Sequence, residues 1–217
     1  MSGPREKIGG ALALLVTGWL AASSAVAQVY THSPELAIPD SPTVSDQLVV
    51  AGVPSSISDI NVIVDIAHAD LSHLDMLLIP PGGTSYLVLA ADTAGPEGFF
   101  DHTRFDDDAC RFIYNGSGTF HASYRPKGGL MIPYQGDYPL PASWISMLDA
   151  LNGTNANGVW TLVIDDDTAG GVGVLHSWSL ELNGATDPAG PSDAFELCTS
   201  AAISPSVSRR GAMVHVR

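Results

Sequence analysis

The sequence predicts an all-β fold, a β-sandwich of the jelly-roll kind. Three observations lead there. Helical periodicity is nearly absent. Short runs rich in Val, Ile, Leu and aromatic residues recur along the chain, with Gly, Pro, Asn and Asp between them. Turn-marked spacing of this kind suits a two-sheet sandwich or jelly roll.

The first expected strand is Leu48 to Val53. The second, Ile60 to Ala67, alternates Ile60, Val62, Val64 and Ile66 with Asn61, Ile63, Asp65 and Ala67, which predicts one fully buried face. Leu74 to Ile79 is nearly continuous apolar and stops at Pro80-Pro81-Gly82-Gly83; Tyr86 to Ala91 is its expected hairpin partner. Ala142 to Leu151, entered after Pro141, reads as one short helix. Val159 to Asp165 and Val174 to Leu182 are expected to pair across the turn Asp165-Asp166-Asp167-Thr168-Ala169-Gly170-Gly171.

Three regions follow from composition. Arg5 and Lys7, the apolar run Gly9 to Leu20 and the small residues Ala25-Val26-Ala27 form a secretory signal peptide over 1–27, with a signal anchor as the alternative. The apolar run is short for a membrane span, and no later segment is long and apolar enough. Residues 28–184 form the body. Residues 185–217, rich in Ala, Ser, Pro and Gly, read as a linker or partly disordered tail that is locally cationic through Arg209, Arg210 and Arg217. The expected location is therefore secreted, extracellular or periplasmic. In an exported chain the two cysteines, Cys110 and Cys198, admit one disulfide. The sequence leaves that pairing open, because Cys198 lies in the tail.

The chain carries a net charge of −14, mostly from aspartate, and loss of residues 1–27 makes it more negative still. Such a surface argues against nucleic acid or an anionic membrane as partner. Aspartate favours turns, and it is also a hard oxygen ligand for calcium.

Four stretches carry a family resemblance: IPDSPTVSDQLVVAGVPSSISDINVIVDIAHA (38–69), HLDMLLIPPGGTSYLVL (73–89), TRFDDDA (103–109) and LNGTNANGVWTLVIDDDTAGGVGVLHSWSLEL (151–182). Together they resemble the P domain (Homo B domain) that follows the catalytic domain of kexin- and furin-type subtilisin-like proprotein convertases. The likeness runs from about Tyr30 to Gly184. It implies a jelly roll similar to galactose-binding-like domains, and a non-catalytic role. In those proteases the P domain packs on the catalytic domain and supports its folding and its calcium and pH behaviour. One departure stands out: His73 occupies the place where the family usually has Asp before Leu.

The residues that look catalytic do not match a subtilase pattern. Ser85 is followed by the strand-like Tyr86 to Leu89, Asp92-Thr93-Ala94 lacks the expected Gly, and His68 is followed by Ala-Asp. No catalytic residue is expected, although the family ties such modules to serine-type endopeptidase activity and proteolysis. His68, Asp70, His73 and Asp75 can be read as a metal or acid–base cluster; the plainer reading is a polar strand connection with His68 at a strand end. Trp160 and Trp178 can be sugar platforms, but their apolar surroundings favour the core.

Calcium is the expected cofactor. Two clusters, Asp106-Asp107-Asp108 and Asp165-Asp166-Asp167, can share one cation if their loops converge at one end of the jelly roll. The functional expectation is a secreted P-domain module that binds or stabilises a partner protein, such as a subtilisin-like protease acting in trans. The alternatives are a cell-surface or carbohydrate-binding module, and a fragment of a larger secreted protease.

Overall fold

The computed structural model describes residues 27–54, 56–93, 98–115, 118–129, 136–188 and 190. Residues 1–26 of the expected signal peptide and Cys198, with most of the tail, lie outside them. Among the described residues the fold is all-β. The strands are β1 (Gln28–His32), β2 (Leu36–Ile38), β3 (Val44–Val50), β4 (Ile60–His68), β5 (Leu74–Ile79), β6 (Ser85–Ala90), β7 (Phe99–Phe105), β8 (Ser123–Tyr124), β9 (Ser143–Trp144), β10 (Gly158–Asp166) and β11 (Gly173–Leu182).

Two mixed sheets face each other. The first runs β1-β11-β4-β7-β8, with β2 also pairing with β11; the second runs β3-β10-β5-β6-β9. Between them, β4 and β11 contribute Val62, Val64, Ile66, Leu175, Trp178 and Leu180, while β5 and β10 contribute Met76, Leu78, Trp160, Leu162 and Ile164, all fully buried. Phe100, Phe105 and Phe120 close one side, the rings of Phe100 and Phe120 stacking at 5.3 Å. A second, smaller core lies on the outer face of the second sheet. There Leu77, Ile79, Val88, Ala91 and Val163 are covered by Tyr86, Tyr138 and Leu140.

The β5–β6 hairpin forms as expected. The closing hairpin does not. β10 lies in the second sheet between β3 and β5, and β11 lies in the first between β1 and β4. The turn after Asp166 therefore crosses from one sheet to the other, and Trp160 and Trp178 meet the same core from opposite sides. A bulge at His176, where the register shifts between Leu175 and Ser177, lets Leu175 join Trp178 on the inner face despite their odd spacing. The expected helix over 142–151 is also absent. Ser143–Trp144 pairs parallel with β6 and forms the edge of the second sheet, and only Leu148–Leu151 forms a 3₁₀ turn, burying Leu148 and Leu151.

The packed body extends past the expected boundary at Gly184. Asp187 is buried on the outer face of the first sheet. Its backbone N–H donates to Glu181 Oε1 at 2.6 Å, and its carboxylate accepts from the Ser179 hydroxyl at 2.8 Å.

Candidate functional site

The strand β10 ends in the aspartate run, and the pleat sends its members to different places. Asp166 shares the inward parity of Trp160, Leu162 and Ile164; Asp165 shares the outward parity of Val163. Asp167 follows in the crossover, its N–H donating to the His73 carbonyl at 3.0 Å. Asp166 is thus turned away from Asp165 to the other face of the sheet.

On the inner side, Asp166 meets His68 at the end of β4. His68 Nε2 donates to Asp166 Oδ2 at 3.1 Å, and neither side chain touches solvent. His68 Nδ1 lies 2.8 Å from the Asp70 carbonyl. Asp70 caps a one-turn 3₁₀ helix over Leu71–His73, accepting from the Ser72 N–H at 2.9 Å and its hydroxyl at 2.6 Å. The hydroxyl bond holds the Asp70 carboxyl below its ordinary value. This is the polar strand connection that the sequence favours over an acid–base cluster: His68 joins the ends of β4 and β10, and thereby the two sheets. Asp75 stands apart, on the other face of the second sheet.

Ser85, His68 and Asp92, the residues that look like a subtilase set, are held apart. Ser85 opens β6 at the Ile79 end of β5, whereas Asp92 follows the other end of β6. His68 and Asp166 sit at that second end too, since Asp166 pairs with Leu74. The length of β6, about 17 Å at strand rise, separates the serine from the others.

On the outer side, Asp165 is directly across from Asp75 in the β10–β5 register. They are 4% and 2% exposed, and Asp165 Oδ2 and Asp75 Oδ1 have no hydrogen-bond partner. Asp165 Oδ1 accepts from the Thr43 hydroxyl at 2.7 Å, and the Thr43 N–H donates to Asp137 at 3.2 Å. Burial pushes the Asp75 carboxyl up to about 7. The carboxylates of Asp92 and Asp167 push the same way, and Lys127 opposes them. Burial also raises Asp165, against the Thr43 hydroxyl bond and together with Asp167 and Asp137. Asp75, noticed in the sequence only beside His73, thus belongs to a different site.

The expected sharing of one cation between the two Asp clusters fails on geometry. Phe105 pairs with Val62, which places Asp106 to Asp108 beyond the Ile60 end of β4; Gly173 pairs with His68 at the other end. Six residue steps along the strand, roughly 20 Å, separate Val62 from His68. Asp106 instead neighbours Asp59 and Asp108, and Asp107 accepts from the Asp149 N–H at 2.8 Å. Burial raises both carboxyls. Asp106, Asp108 and Cys110 line a cavity of about 230 Å³ whose wall includes Arg104 and Glu181. There Arg104 forks onto Glu181, Nε to Oε2 and Nη2 to Oε1, both at 2.9 Å. Because Cys198 is outside the described residues, its pairing with Cys110 remains an expectation.

One further feature had little sequence signal. A bulge on β7, where Asp101 and His102 stand opposite the single residue Asp65 of β4, brings these three together at the surface, with His121 Nδ1 3.1 Å from Asp101. Both candidate sugar platforms are buried: Trp160 Nε1 donates to the Ala156 carbonyl at 2.9 Å, and Trp178 Nε1 to Asp46 Oδ2 at 2.7 Å. Among the described residues no helix is long and apolar enough to cross a membrane.

Residues 141–182, which hold β9, the last 3₁₀ turn, β10 and β11, match the model of the proprotein convertase P-domain family. No curated protein matches the chain. Among solved structures, it is similar to a serine protease of Aeromonas sobria and to the complex of that organism's serine protease with the chaperone ORF2. Each is 17% identical, with a TM-score of 0.41, and the match covers 72% of this chain and 26% of the other. The chain spans about a quarter of the length of those proteins.

Proposed function

From a P-domain segment at 141–182, we propose that this protein is an exported, non-catalytic module that binds or stabilises a partner protein, a subtilisin-like serine protease acting in trans. The family match is the observation that carries the reading. Two others support it. The chemistry-like residues of the body serve the fold: His68 and Asp166 tie the sheets together, while Ser85 stands at the far end of β6. The tryptophans that a carbohydrate-binding module would present are inside the core. Export is supported by the signal-peptide pattern of 1–27, and an oxidising compartment would close Cys110–Cys198.

The test is to treat the purified protein with a fluorophosphonate that labels active serines, and to assay it against a range of peptide substrates. The expected result is no label and no hydrolysis. Stoichiometric labelling with matching hydrolysis would replace the module by an enzyme.

A further inference from the structure

We propose that Asp75 and Asp165 bind a calcium-class divalent cation on the outer face of the second sheet, where β5 begins and β10 ends. The site is not the two-cluster site that the sequence suggests. It lies wholly at one end of the sandwich and pairs Asp165 with a residue 90 positions earlier.

Directly opposed residues on antiparallel strands send their side chains to the same face, with Cβ atoms about 5 Å apart, and like charges there are destabilising. Both carboxylates are also buried, and a buried charge without a partner is costly. Each keeps one oxygen with no hydrogen-bond donor, Asp75 Oδ1 and Asp165 Oδ2. A structural pair would be expected to meet Arg, Lys or a set of N–H groups. Here the nearby charges are mostly negative: those of Asp92 and Asp167 both act on Asp75, and Lys127 opposes them. The Lys127 ammonium is itself occupied, donating to the Ala91 carbonyl at 2.9 Å.

The donor set selects the ion. Carboxylate oxygens without nitrogen or sulfur suit a hard cation, and calcium accepts the irregular geometry of side chains gathered from separate strands more readily than magnesium does. The histidines at this end, His68 and His73, engage Asp166 and Asp70 instead. Thr43 supplies the support that orients a ligand: its hydroxyl fixes one Asp165 oxygen and leaves the other free. Next to Asp92, Thr93 also buries a hydroxyl without a partner.

The inference does not depend on the protease-associated reading. Purified protein, stripped with EDTA and dialysed, is titrated with CaCl₂ in a calorimeter and melted with and without the ion. One-site binding and a higher Tm in calcium are expected. Asp75→Asn and Asp165→Asn, nearly isosteric changes that relieve the repulsion, should each weaken binding at least tenfold without lowering the Tm in EDTA. Asp107→Asn, at the other end of β4, should bind like the wild type. The proposal is overturned if wild type binds no calcium up to millimolar concentrations. It is equally overturned if Asp107→Asn loses the binding while Asp75→Asn keeps it, or if MgCl₂ binds as tightly as CaCl₂.

Discussion

His68 and Asp166 form a buried pair in which the end of a strand in one sheet is hydrogen-bonded to the end of a strand in the other, at 3.1 Å and with no solvent contact. Removing one partner of such a pair leaves the other polar group buried and uncompensated, a loss of about 3–5 kcal/mol. Asp166→Ala is therefore expected to lower stability by about that amount in urea unfolding, while Thr168→Ala, in the exposed crossover, changes it by less than about 1 kcal/mol.

A second pair makes the same point on the opposite face of the first sheet. Glu181 receives the Arg104 fork, the Asn61 amide and the Asp187 N–H together. Glu181→Gln removes the charge while nearly keeping the shape, so Arg104 loses the carboxylate that its fork grips. The expected cost is about 3 kcal/mol or more. The Asp187 contact should loosen with it, giving faster amide exchange or proteolysis at 185–190.

The buried Asp75 carboxyl sets a pH dependence that chelator reveals. Its folded-state value of about 7 lies above its ordinary 3.8, so the fold favours the protonated form. That contribution is fully present below about pH 4 and is lost as pH rises to about 7. In EDTA, the wild type should lose stability relative to Asp75→Asn across that window. Superimposable pH profiles for the two proteins would show that the carboxyl is not strained by its surroundings.

Trp160 and Trp178 both lie inside the core, out of reach of a sugar. Each is fully buried, with its indole N–H donating within the protein. Replacing either by Ala should cost about 3–5 kcal/mol through cavity formation. A glycan array should respond equally to wild type and to any folded Trp178→Phe variant.

How much of this was legible differs by residue. Val62, Val64 and Ile66, and the unbroken Leu74 to Ile79, announced β4 and β5 because apolar alternation or a continuous apolar run is a local property. Phe99–Phe105 was missed as a strand because Asp101, His102 and Arg104 interrupt it, two of them at a bulge that breaks the period. The stretch Val159 to Leu182 showed two strands and a turn, but nothing local distinguishes a turn within one sheet from a crossing between two. That single ambiguity sent β10 and β11 to the wrong partners. The same limit hid the Asp75–Asp165 register, which depends on a strand pairing across 90 residues. It also let Asp106–Asp108 and Asp165–Asp167 look like neighbours when the length of β4 keeps them apart.

The proposed role, binding a protease in trans rather than acting as one, stands or falls on what the protein captures. The most direct measurement is affinity capture from the culture fluid of the source organism, with fluorophosphonate labelling of everything retained. The account predicts a captured protein that carries the label on its own serine while this chain stays unlabelled. Capture of no labelled protein, or label on this chain itself, would contradict it.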